Sequence, residues 1–267
     1  MKDFASDYYE QKEIWKRKHP SELELNRILQ TINLIPAGVE SILDVGCGDG
    51  VITNRLAKIF PRVVGVDLSA SALKQVKAET VRAGADRLPF SDNSFDLVLL
   101  SEVIEHLPVS IYENCLREGA RVAKEYIVVT VPYREYLLQR FVRCPSCFCT
   151  YHRYRHVRSF DLEDLVDLFP GFRVVRTEFL GGKTERPYKW EVFIRQNLAG
   201  HYNPWPLAVC PQCGQKGTEK FKRGLLSWLL AIIGRIIPRK KTYHWIGAVY
   251  RKVKQVGKED GEQIGSI

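Results

Sequence analysis

Hydrophobic and polar residues follow one another along residues 22–132 in a regular succession of strand-like and helix-like stretches. Short apolar runs such as 95–100 are typical of strands covered on both faces, because neither side of such a strand meets water. Between these runs, apolar residues recur every three or four positions, as in residues 109–122, which predicts helices. We therefore expect an open parallel sheet with helices on both faces. The predicted strands are residues 42–45, 62–67, 81–85, 95–100 and 126–132, and the predicted helices are residues 22–35, 51–60, 70–79 and 109–122.

A glycine-rich turn follows the first predicted strand. Residues 46–50 read Gly-Cys-Gly-Asp-Gly and open a predicted helix, so the backbone can approach a ligand closely because no Cβ intrudes. Dinucleotide-binding turns place a further glycine where this chain has Val51, which disfavours a nicotinamide cofactor. Asp67 ends the second predicted strand, and its carboxylate can accept hydrogen bonds from both hydroxyls of a ribose. The turn and the acid together predict a nucleoside-containing ligand at the carboxyl ends of the strands.

Five sequence blocks, in order along the chain, resemble class I S-adenosylmethionine-dependent methyltransferases of the type 11-like group. They read LDVGCGDG, GVDLS, ADRLPF, SFDLV and EVIEHL, and they span about residues 40–135. The resemblance implies an α/β fold with a Rossmann-like seven-stranded methyltransferase sheet and helices on both faces. It also implies S-adenosylmethionine as the cofactor. The cofactor-binding residues that it implies are Asp44, Gly46, Cys47, Gly48, Gly50, Asp67, Leu68, Asp86, Leu88 and Ser101.

The resemblance also assigns roles to these residues. In such enzymes the glycine turn lies against the methionine part of the cofactor, and the first-strand acid, here Asp44, orders the turn or the cofactor's amino end. Asp67 is expected to hold the ribose, while Asp86 and Leu88 are expected to meet the edge and face of the adenine.

The family's sheet ends with a sixth strand and an antiparallel seventh strand, for which residues 171–175 and 245–252 are the candidates. A capped helix is expected to begin at Ser159 and to end near residue 170. The residues between the last two strands then form one long insertion. The predicted parts are an N-terminal helical cap (1–36), the catalytic domain (37–180 and 243–253), an inserted element (143–158 and 181–242) and a flexible tail (254–267).

Candidate catalytic residues follow the fourth predicted strand. Methyl transfer from a sulfonium is an in-line displacement, so alignment of the acceptor, the methyl group and the sulfur supplies much of the acceleration. A base is needed only where the acceptor is a hydroxyl or another poorly ionised group. Ser101 or Glu102 is expected to form the floor of the site near the methyl group, and His106 at its rim is the candidate base. A purely positional role for His106 is the alternative.

The string Glu102-x-x-Glu105-His106 also supports a metal hypothesis. Some relatives, including small-RNA 2′-O-methyltransferases and ubiquinone-pathway O-methyltransferases, use such a string to bind a divalent cation beside the acceptor. One helical turn puts the three side chains on a common side, and a distant His152 or His156 would complete the ligand set. Magnesium is therefore an open second cofactor.

Five of the seven cysteines lie in the second half of the chain, in the strings CPSCFC and CPQC. Two Cys-Pro-x-Cys knuckles are typical halves of a tetrahedral zinc site, because each turns two thiolates toward one metal. Cys149 either competes with Cys147 or is a bystander, and Cys47 and Cys115 are expected to be buried. We therefore predict a small zinc-ribbon-like insertion with structural zinc. Its predicted ligands are Cys144, Cys147, Cys210 and Cys213.

The charge of the chain is unevenly distributed. The 267 residues carry a net charge of +9, but residues 1–135 have a net charge of −3 and residues 136–267 have a net charge of +12. Such asymmetry is typical of a surface for an anionic partner, namely nucleic acid, a phosphorylated substrate or membrane headgroups. A solvated face without a single partner is the alternative. The length suits one large α/β domain with an insertion, and a hydrophobic content of 45% excludes a disordered or fibrous protein.

Two functional hypotheses follow. The first is methyl transfer to a small-molecule or lipid/glycan-precursor acceptor, with the basic insertion forming the acceptor pocket. The alternative is an RNA methyltransferase or RNA-binding module that holds nucleic acid with the basic, zinc-containing second half. Residues 151–155 interleave aromatic and basic side chains, and such rings can stack on bases.

Residues 221–241 combine an apolar core of about 13 residues with basic clusters at both ends. This core is too short to span a bilayer. The basic ends and Trp228 fit an interfacial helix on anionic lipid, whereas apolar residues nearly all round suit burial under the insertion or a substrate lid. The N-terminal residues contain no apolar stretch typical of a secretory signal. We expect a cytoplasmic location, with peripheral contact at the inner face of the membrane as an alternative.

Overall fold

The computed structural model describes residues 4–15, 20–218, 224–239 and 241–253. Most strands in these residues belong to one sheet, and two of them form a separate hairpin. The strands are β1 (Ser41–Val45), β2 (Arg62–Asp67), β3 (Glu79–Arg82), β4 (Phe95–Ser101), β5 (Ala123–Pro132), β6 (Phe141–Arg143), β7 (Thr150–His152), β8 (Phe172–Glu185) and β9 (Lys241–Lys252).

The seven-stranded sheet has the order β3-β2-β1-β4-β5-β9-β8. The neighbours from β3 to β5 are parallel, whereas β9 runs antiparallel to both β5 and β8. A parallel sheet with an antiparallel seventh strand is the arrangement expected from the sequence, and the structure places that strand between the fifth and the sixth. The predicted Rossmann-like methyltransferase sheet is therefore confirmed.

The alternation of side chains along β4 explains its apolar run. Leu97 and Leu99 pack in a core on one face of the sheet, together with Leu34 and Val128. The intervening Val98 and Leu100 pack in a larger core on the other face. Because successive side chains of a strand point to opposite faces, a strand between two cores must be apolar at every position.

Helices cover both faces of the sheet. One of them, residues Glu22–Asn33, begins with a capping box in which the Ser21 hydroxyl accepts from the Glu24 amide and the Glu24 carboxylate accepts from the Ser21 amide. The helices are α1 (Phe4–Tyr9), α2 (Lys12–Trp15), α3 (Glu22–Asn33), α4 (Thr53–Leu56), α5 (Ala70–Leu73), α6 (Val109–Val122), α7 (Lys189–Phe193) and α8 (Leu225–Ile236).

Three predicted helices are shorter than expected. The predicted helices 51–60 and 70–79 are single turns, α4 and α5. Beyond α5, the Lys77 amide donates to Asn54 Oδ1 of α4 at 2.6 Å, a side-chain contact in place of a helical hydrogen bond. The predicted helix after Ser159 is reduced to a 3₁₀ turn, Glu163–Leu165.

The insertion is also shorter than the predicted 181–242. β8 continues to Glu185 and β9 begins at Lys241, because the two strands pair beyond the sheet as a long antiparallel hairpin. The inserted residues are therefore 186–240. The hairpin β6–β7 lies outside the main sheet, between β5 and β8 in the sequence.

No helix within the described ranges is long and apolar enough to cross a membrane. The predicted flexible tail, residues 254–267, lies outside the described residues. The basic residues of the segment 221–241 that precede α8, and Lys240, also lie outside them.

Candidate active site

The glycine turn lies at the carboxyl end of β1 and leads into α4. Gly46, Gly48 and Gly50 have φ values between +54° and +75°, in the left-handed region that favours glycine. A Cβ on Gly46 would lie 2.5 Å from Val103 Cγ2, which is too close for two carbon atoms. The Gly46 amide donates to the Val66 carbonyl oxygen at 2.7 Å. Glycine is therefore required here both for the backbone conformation and for the close approach of the turn after β4.

Asp44 lies in β1 directly before this turn and is 3% exposed. Its Oδ2 accepts a hydrogen bond of 2.7 Å from the Thr53 hydroxyl in α4. Burial raises the pKa of Asp44 to about 7, and the nearby Asp67 carboxylate adds to the rise, although the Thr53 hydroxyl opposes it. The predicted first-strand acid is thus tied to the helix that follows the turn, and it titrates near neutral pH.

Asp67 ends β2 and contacts the glycine turn directly. Its Oδ2 accepts from the Gly48 amide at 2.9 Å, and its Oδ1 accepts from the Ser69 amide at 2.8 Å. Burial raises the pKa of Asp67, although both amides oppose the rise. Each carboxylate oxygen can accept a second hydrogen bond. The acid predicted to hold a ribose therefore lies beside the glycine turn, with acceptor capacity left.

Leu68 and Asp86 lie together on the other side of Asp67. A Cβ on Gly84 would be 2.5 Å from Asp86 Oδ1 and 4.0 Å from Leu68 Cδ2, so both side chains border the same small glycine. Leu68 is 62% exposed. This place combines an exposed apolar side chain with a carboxylate.

Two further predicted cofactor residues have side chains in the core. Leu88 is 4% exposed, and its amide donates to the Glu118 carboxylate at 2.7 Å. The Cys47 side chain packs on Gly65, where a Cβ would lie 2.9 Å from Cys47 Sγ. Cys47 and Cys115 are both buried, as predicted.

The N-terminal segment, residues 4–15, crosses over the glycine turn. The Trp15 ring lies against Gly48, because a Cβ there would be 3.0 Å from Trp15 Cζ3. The Trp15 indole nitrogen donates to the Tyr9 carbonyl oxygen at 2.6 Å. The sequence predicted a helical cap in this region but gave no sign that it would contact the turn.

Glu10 fastens the N-terminal segment to the start of α5. Its carboxylate accepts from the amides of Ala70 and Ser71 at 3.1 and 3.2 Å, the position in which an acid is favoured by a helix start. It also pairs with Arg82 at 3.2 Å. The cap is thereby attached to the loop that carries Asp67.

The end of β4 is held by three other elements. The Ser101 hydroxyl is 2.7 Å from the Thr130 hydroxyl of β5 and accepts from the Arg27 guanidinium of α3 at 3.1 Å. Glu102 has a left-handed backbone with φ of +58°, and its Oε2 accepts from the Trp245 indole of β9 at 2.6 Å. Burial raises the pKa of Glu102, although Arg27 opposes the rise. The two predicted floor residues therefore have fixed side chains.

Glu105, His106 and His156 form a compact group beyond Glu102. One ligand atom of each lies within 4.8 Å of those of the other two. Glu105 is fully buried, and neither of its carboxylate oxygens makes a hydrogen bond within the described part of the chain. His106 Nδ1 lies 3.0 Å from the Tyr9 hydroxyl. Glu102 was predicted to share this group but is absent from it, because its carboxylate is held by β9.

Burial shifts the titration of this group in opposite directions. It raises the pKa of Glu105 well above its ordinary value, and the Glu102 carboxylate adds to the rise. It lowers the pKa of His106 well below its ordinary value, and His156 adds to the fall. Both shifts favour the uncharged forms, because a charge here has little water to solvate it.

Glu135 was missed by the sequence analysis. It follows β5 and lies 2.5 Å from His156 Nδ1 and 3.4 Å from His152 Nε2. The two imidazole rings stack with their centroids 4.5 Å apart. Burial raises the pKa of Glu135, but hydrogen bonding to the two histidines outweighs it and lowers the pKa. The signal for Glu135 was its place after a parallel strand, at the edge where such sheets bind ligands.

The structure brings the two cysteine knuckles together. Cys144 Sγ lies 3.6 Å from Cys213 Sγ, and Cys147 Sγ lies 3.5 Å from Cys210 Sγ. All four sulfur atoms lie within 4.8 Å of one another, and Cys149 is outside this group. Four thiolates around zinc, at about 2.3 Å each, would have their sulfurs about 3.8 Å apart. The observed spacing therefore fits one tetrahedral metal.

The cysteines lie in what we call the zinc-knuckle element, residues 141–152 and 205–217. Its two knuckles are alike, since the fifth residue of each, Phe148 and Gly214, has positive φ and donates its amide to the first cysteine of its knuckle. The element has its own small core. This core contains Val142, Cys144, Tyr151, Ala208 and Cys210.

Comparison with known proteins gives the same interpretation of the sheet. The sequence model of the family described as "Methyltransferase domain" matches residues 43–127. The chain contains a methyltransferase domain. The matched residues include the glycine turn, Asp67 and the Glu105–His106 pair, whereas Glu135 and His156 lie beyond the match.

A curated relative of this methyltransferase domain is the ubiquinone biosynthesis O-methyltransferase of Albidiferax ferrireducens. It is 32% identical over 101 residues, which cover 33% of this chain and 40% of the relative. The match therefore spans less than half of the relative's length.

Two solved structures resemble almost the whole chain in fold. One is a methyltransferase in complex with the Trm112 methyltransferase activator of Haloferax volcanii, which is 14% identical, with a TM-score of 0.56 and coverage of 94% of this chain and 99% of that chain. The other is the magnesium protoporphyrin IX methyltransferase of Synechocystis, with a TM-score of 0.53, 12% identity and coverage of 93% and 98%. At these identities the likeness establishes the fold alone.

Proposed function

We propose that this protein transfers the methyl group of S-adenosylmethionine to a hydroxyl of a small-molecule or lipid/glycan-precursor acceptor. The observation that carries the proposal is the Glu105–His106–His156 group beside the glycine turn. Val103 joins the two places, because its side chain packs on Gly46 while the residues that follow it form the group. The similarity to an O-methyltransferase supports a hydroxyl as the acceptor.

The carboxyl ends of β1 and β2 fit the proposed cofactor. The glycines of the turn carry no Cβ that would intrude on a ligand, and the spare lone pairs of Asp67 suit the two ribose hydroxyls. Leu68 offers an apolar surface to an adenine ring, and Asp86 beside it accepts from the exocyclic amine. Asp44, when ionised, attracts the ammonium of the methionine part. The bound cofactor supplies an electrophilic methyl group on a positively charged sulfur.

The other predicted cofactor positions act less directly in this proposal. Cys47 contributes its backbone only, because its side chain is buried, and Leu88 supports the adenine place from the core. Gly48 and Gly50 shape the turn. Ser101, held by Thr130, contributes a polar floor between the cofactor and the acceptor.

His106 is the proposed base. Its lowered pKa keeps the imidazole neutral at neutral pH, so a ring nitrogen can take the proton of an acceptor hydroxyl. Burial raises the pKa of Tyr9, so Tyr9 keeps its proton. When His106 Nδ1–H donates to the Tyr9 oxygen, Nε2 keeps the lone pair that accepts the proton. Tyr9 therefore acts as a positioning residue for His106.

A divalent cation is the second candidate for the same group. A carboxylate and two imidazoles are a usual ligand set, and the buried Glu105 oxygens without hydrogen bonds fit metal ligation. Imidazole nitrogens favour manganese, iron or zinc over magnesium, which prefers oxygen ligands. The Glu135 carboxylate orients His156 through Nδ1, as acids behind metal-binding histidines do. A cation held there would make an acceptor hydroxyl more acidic.

We also propose that Cys144, Cys147, Cys210 and Cys213 hold a structural zinc ion. The support is the spacing of their sulfur atoms and the matching turns of the two knuckles. The zinc would join two segments that are 63 residues apart in sequence. Its role in this proposal is structural, because all four ligands come from the protein.

The packing of residues 151–155 favours a small acceptor over RNA. Tyr151 and His152 are buried, and the ring of Tyr154 packs on Trp205 at a centroid distance of 5.3 Å. The Arg153 guanidinium lies over both of these last two rings. Rings that are packed together in this way are not free to stack on bases.

The proposal is tested by methyl transfer from S-adenosylmethionine to simple phenols and to amines of similar size. Hydroxyl acceptors are expected to be methylated, and His106→Gln is expected to lower kcat by at least about 100-fold with little change in affinity for S-adenosylhomocysteine, because His106 is the base in one role and a cation ligand in the other. The surface control is Glu113→Gln, on the outer part of α6. Methylation of amines alone, or full activity of His106→Gln, would contradict the proposal.

Treatment with a chelator distinguishes a cation bound by the Glu105–His106–His156 group from His106 acting as a base alone. If a cation is held, chelation abolishes activity and manganese or zinc restores it in the wild type but not in His156→Ala. If His106 acts as a base alone, chelation leaves the wild-type activity unchanged, while His106→Ala loses activity. The chelator is used at a concentration that leaves one zinc ion per chain, the content expected of the four-cysteine site, as measured by elemental analysis.

A further inference from the structure

The helix α8 presents an apolar face to solvent. Its exposed side chains lie within an arc of about 140° when each residue advances the helix by about 100°. Their exposed fractions range from 42% to 75%, so none of them is buried in a core. These side chains are Leu225, Trp228, Leu229, Ile233 and Ile236. Of the alternatives that the sequence left open, burial of the helix under the insertion does not hold for these five side chains.

A second set of exposed apolar side chains adjoins α8. Trp190 and Phe193 of α7 and the nearby Leu198 are 43%, 53% and 67% exposed. The turn that contains Leu198 packs against α8. We call these three residues and the five of α8 the apolar patch. A monomeric protein rarely exposes so many large apolar side chains together unless they contact a partner.

Hydrogen bonds hold the two parts of the apolar patch side by side. The Tyr188 hydroxyl, just before α7, donates to the Pro238 carbonyl oxygen just after α8 at 2.7 Å. The Arg239 guanidinium pairs with the Glu191 carboxylate of α7 at 3.2 Å. These bonds hold the start of α7 next to the end of α8. The apolar patch is therefore a surface formed by two packed elements and not by an isolated helix.

The sequence around the apolar patch is strongly basic. Residues 220–241 contain seven Lys and Arg and no Asp or Glu. In the sequence, three of these residues precede α8, Arg235 lies within it and three follow it, so basic residues flank the apolar face along the chain. Lys189, at the start of α7, adds an exposed ammonium group beside Trp190.

We infer that the apolar patch docks this protein on an anionic lipid surface. Apolar side chains that insert at the level of the headgroups, tryptophan at the boundary and basic residues at both ends are the features of a helix that lies in a membrane interface. Acidic headgroups attract the basic residues, which fixes the helix parallel to the surface. The docking is independent of the proposed reaction, since it needs neither cofactor nor acceptor.

A second copy of the chain is the less favourable occupant of the patch. Two copies that met through this face would bring two segments with seven positive charges each close together. Such like charges repel at short distance, whereas acidic lipid neutralises them. Charge complementarity therefore selects the lipid surface.

The test is sedimentation of the full chain with vesicles of phosphatidylcholine alone or with about 30% phosphatidylglycerol. The wild type is expected to sediment with the acidic vesicles only, and added salt is expected to weaken the binding. Trp228→Ser/Ile236→Ser is expected to bind at least about 10-fold more weakly. The control Ile59→Ser/Val109→Ser removes two exposed apolar side chains elsewhere and is expected to bind like the wild type.

Three outcomes would overturn the inference. They are failure of the wild type to bind acidic vesicles, equal binding by Trp228→Ser/Ile236→Ser, and a wild-type dimer in light scattering that this variant loses. Thermal melting shows whether the variant is folded, and Phe193→Ser replaces it if it is not. In either variant S-adenosylhomocysteine binding is expected to be unchanged, so loss of docking is distinguished from loss of the cofactor site.

Discussion

Asp44 links the stability of the fold to pH. Its pKa in the folded protein is about 7, whereas an unperturbed aspartate has a pKa of about 3.9. The folded protein therefore binds the proton more tightly than the unfolded chain does. The stability that this group contributes is complete below about pH 4 and is lost as the pH rises to about 7.

We predict that Asp44→Asn removes this loss. The amide has nearly the same shape and can still accept from Thr53, but it does not ionise. The free energy of unfolding of the variant, relative to wild type, is expected to rise by about 1–2.7 kcal/mol between about pH 5 and pH 8, because about two pKa units of the shift lie in this interval and each contributes at most about 1.4 kcal/mol. Urea unfolding of the cofactor-free protein at both pH values measures the difference.

The matched control for this measurement is Asp167→Asn, a substitution of an exposed aspartate on the surface. Its unfolding free energy is expected to follow the wild type at both pH values. Parallel pH dependence of the wild type and Asp44→Asn would show that Asp44 ionises with an ordinary pKa.

Individual site residues could be predicted from the sequence where they lie within one short motif. Asp67 and the glycines lie within motifs whose spacing sets their positions, so the sequence placed them correctly beside one another. Tyr9 and Glu135 were missed because they reach the group from segments distant in sequence. Periodicity shows which face of a strand or helix is apolar, but it does not show which remote segment will pack there.

At the scale of elements, the zinc-knuckle element delivers two histidines to the candidate active site. β7 ends at His152, and His156 follows it by four residues, with its amide donating to His152 Nδ1 at 3.0 Å. The same strand pairs with β6, which leads directly into Cys144. The position of both rings therefore depends on the integrity of this element.

We predict that Cys210→Ser abolishes zinc binding and lowers methyl transfer by at least about 10-fold, because His152 and His156 lose their fixed positions. Affinity for S-adenosylhomocysteine is expected to change less, since β1 and β2 are remote from the cysteines. Elemental analysis and isothermal titration calorimetry measure the two quantities. The matched control is Cys149→Ser, a cysteine of the same element outside the sulfur group.

In that control the zinc content is expected to stay at one ion per chain. Equal zinc content in both variants, or its absence from the wild type, would contradict the proposed metal site. Normal methyl transfer by a zinc-free Cys210→Ser protein would instead show that the candidate active site does not depend on the zinc-knuckle element.

The strands were predicted more accurately than the helices, for a physical reason. β2 and β4 are buried on both faces, so their apolar runs mark their length closely. In place of a longer helix after α5, the Lys77 amide donates to the side chain of Asn54 in α4, a contact that leaves no periodic signal. The apolar residues of α8 are evident in the sequence, but their exposure depends on what packs against the helix.

At the scale of the whole molecule, the N-terminal segment connects three parts of the protein. Glu10 binds the loop after β2, and Tyr9 binds His106 beyond β4. The Gln11 amide group donates to the Leu207 carbonyl oxygen of the zinc-knuckle element at 3.1 Å. The N-terminal segment, which we call the cover, therefore contacts the loop after β2, the histidine group and the insertion.

We predict that Glu10→Ala/Trp15→Ala opens this cover. Dissociation of S-adenosylhomocysteine is expected to become at least about 10-fold faster, because closing segments commonly limit the release of product. Stopped-flow displacement measures the rate. The control Lys12→Ala/Glu13→Ala changes two exposed residues of α2 and is expected to release the ligand at the wild-type rate.

The melting temperature of the cover variant is expected to stay within a few degrees of the wild type, because the segment packs on the surface of the sheet and not inside it. Unchanged dissociation in Glu10→Ala/Trp15→Ala would show that the segment does not retain the ligand.

The place of β9 in the sheet has a consequence for how the chain is made. β9 is the last strand in the described residues, yet it lies between β5 and β8. During translation β8 leaves the ribosome before it has a partner, and the growing edge of the sheet at β5 stays unpaired while the insertion is synthesised. Open strand edges are sites of aggregation. The nascent protein therefore has two strands with unpaired edges, β5 and β8, until β9 is synthesised and pairs with both.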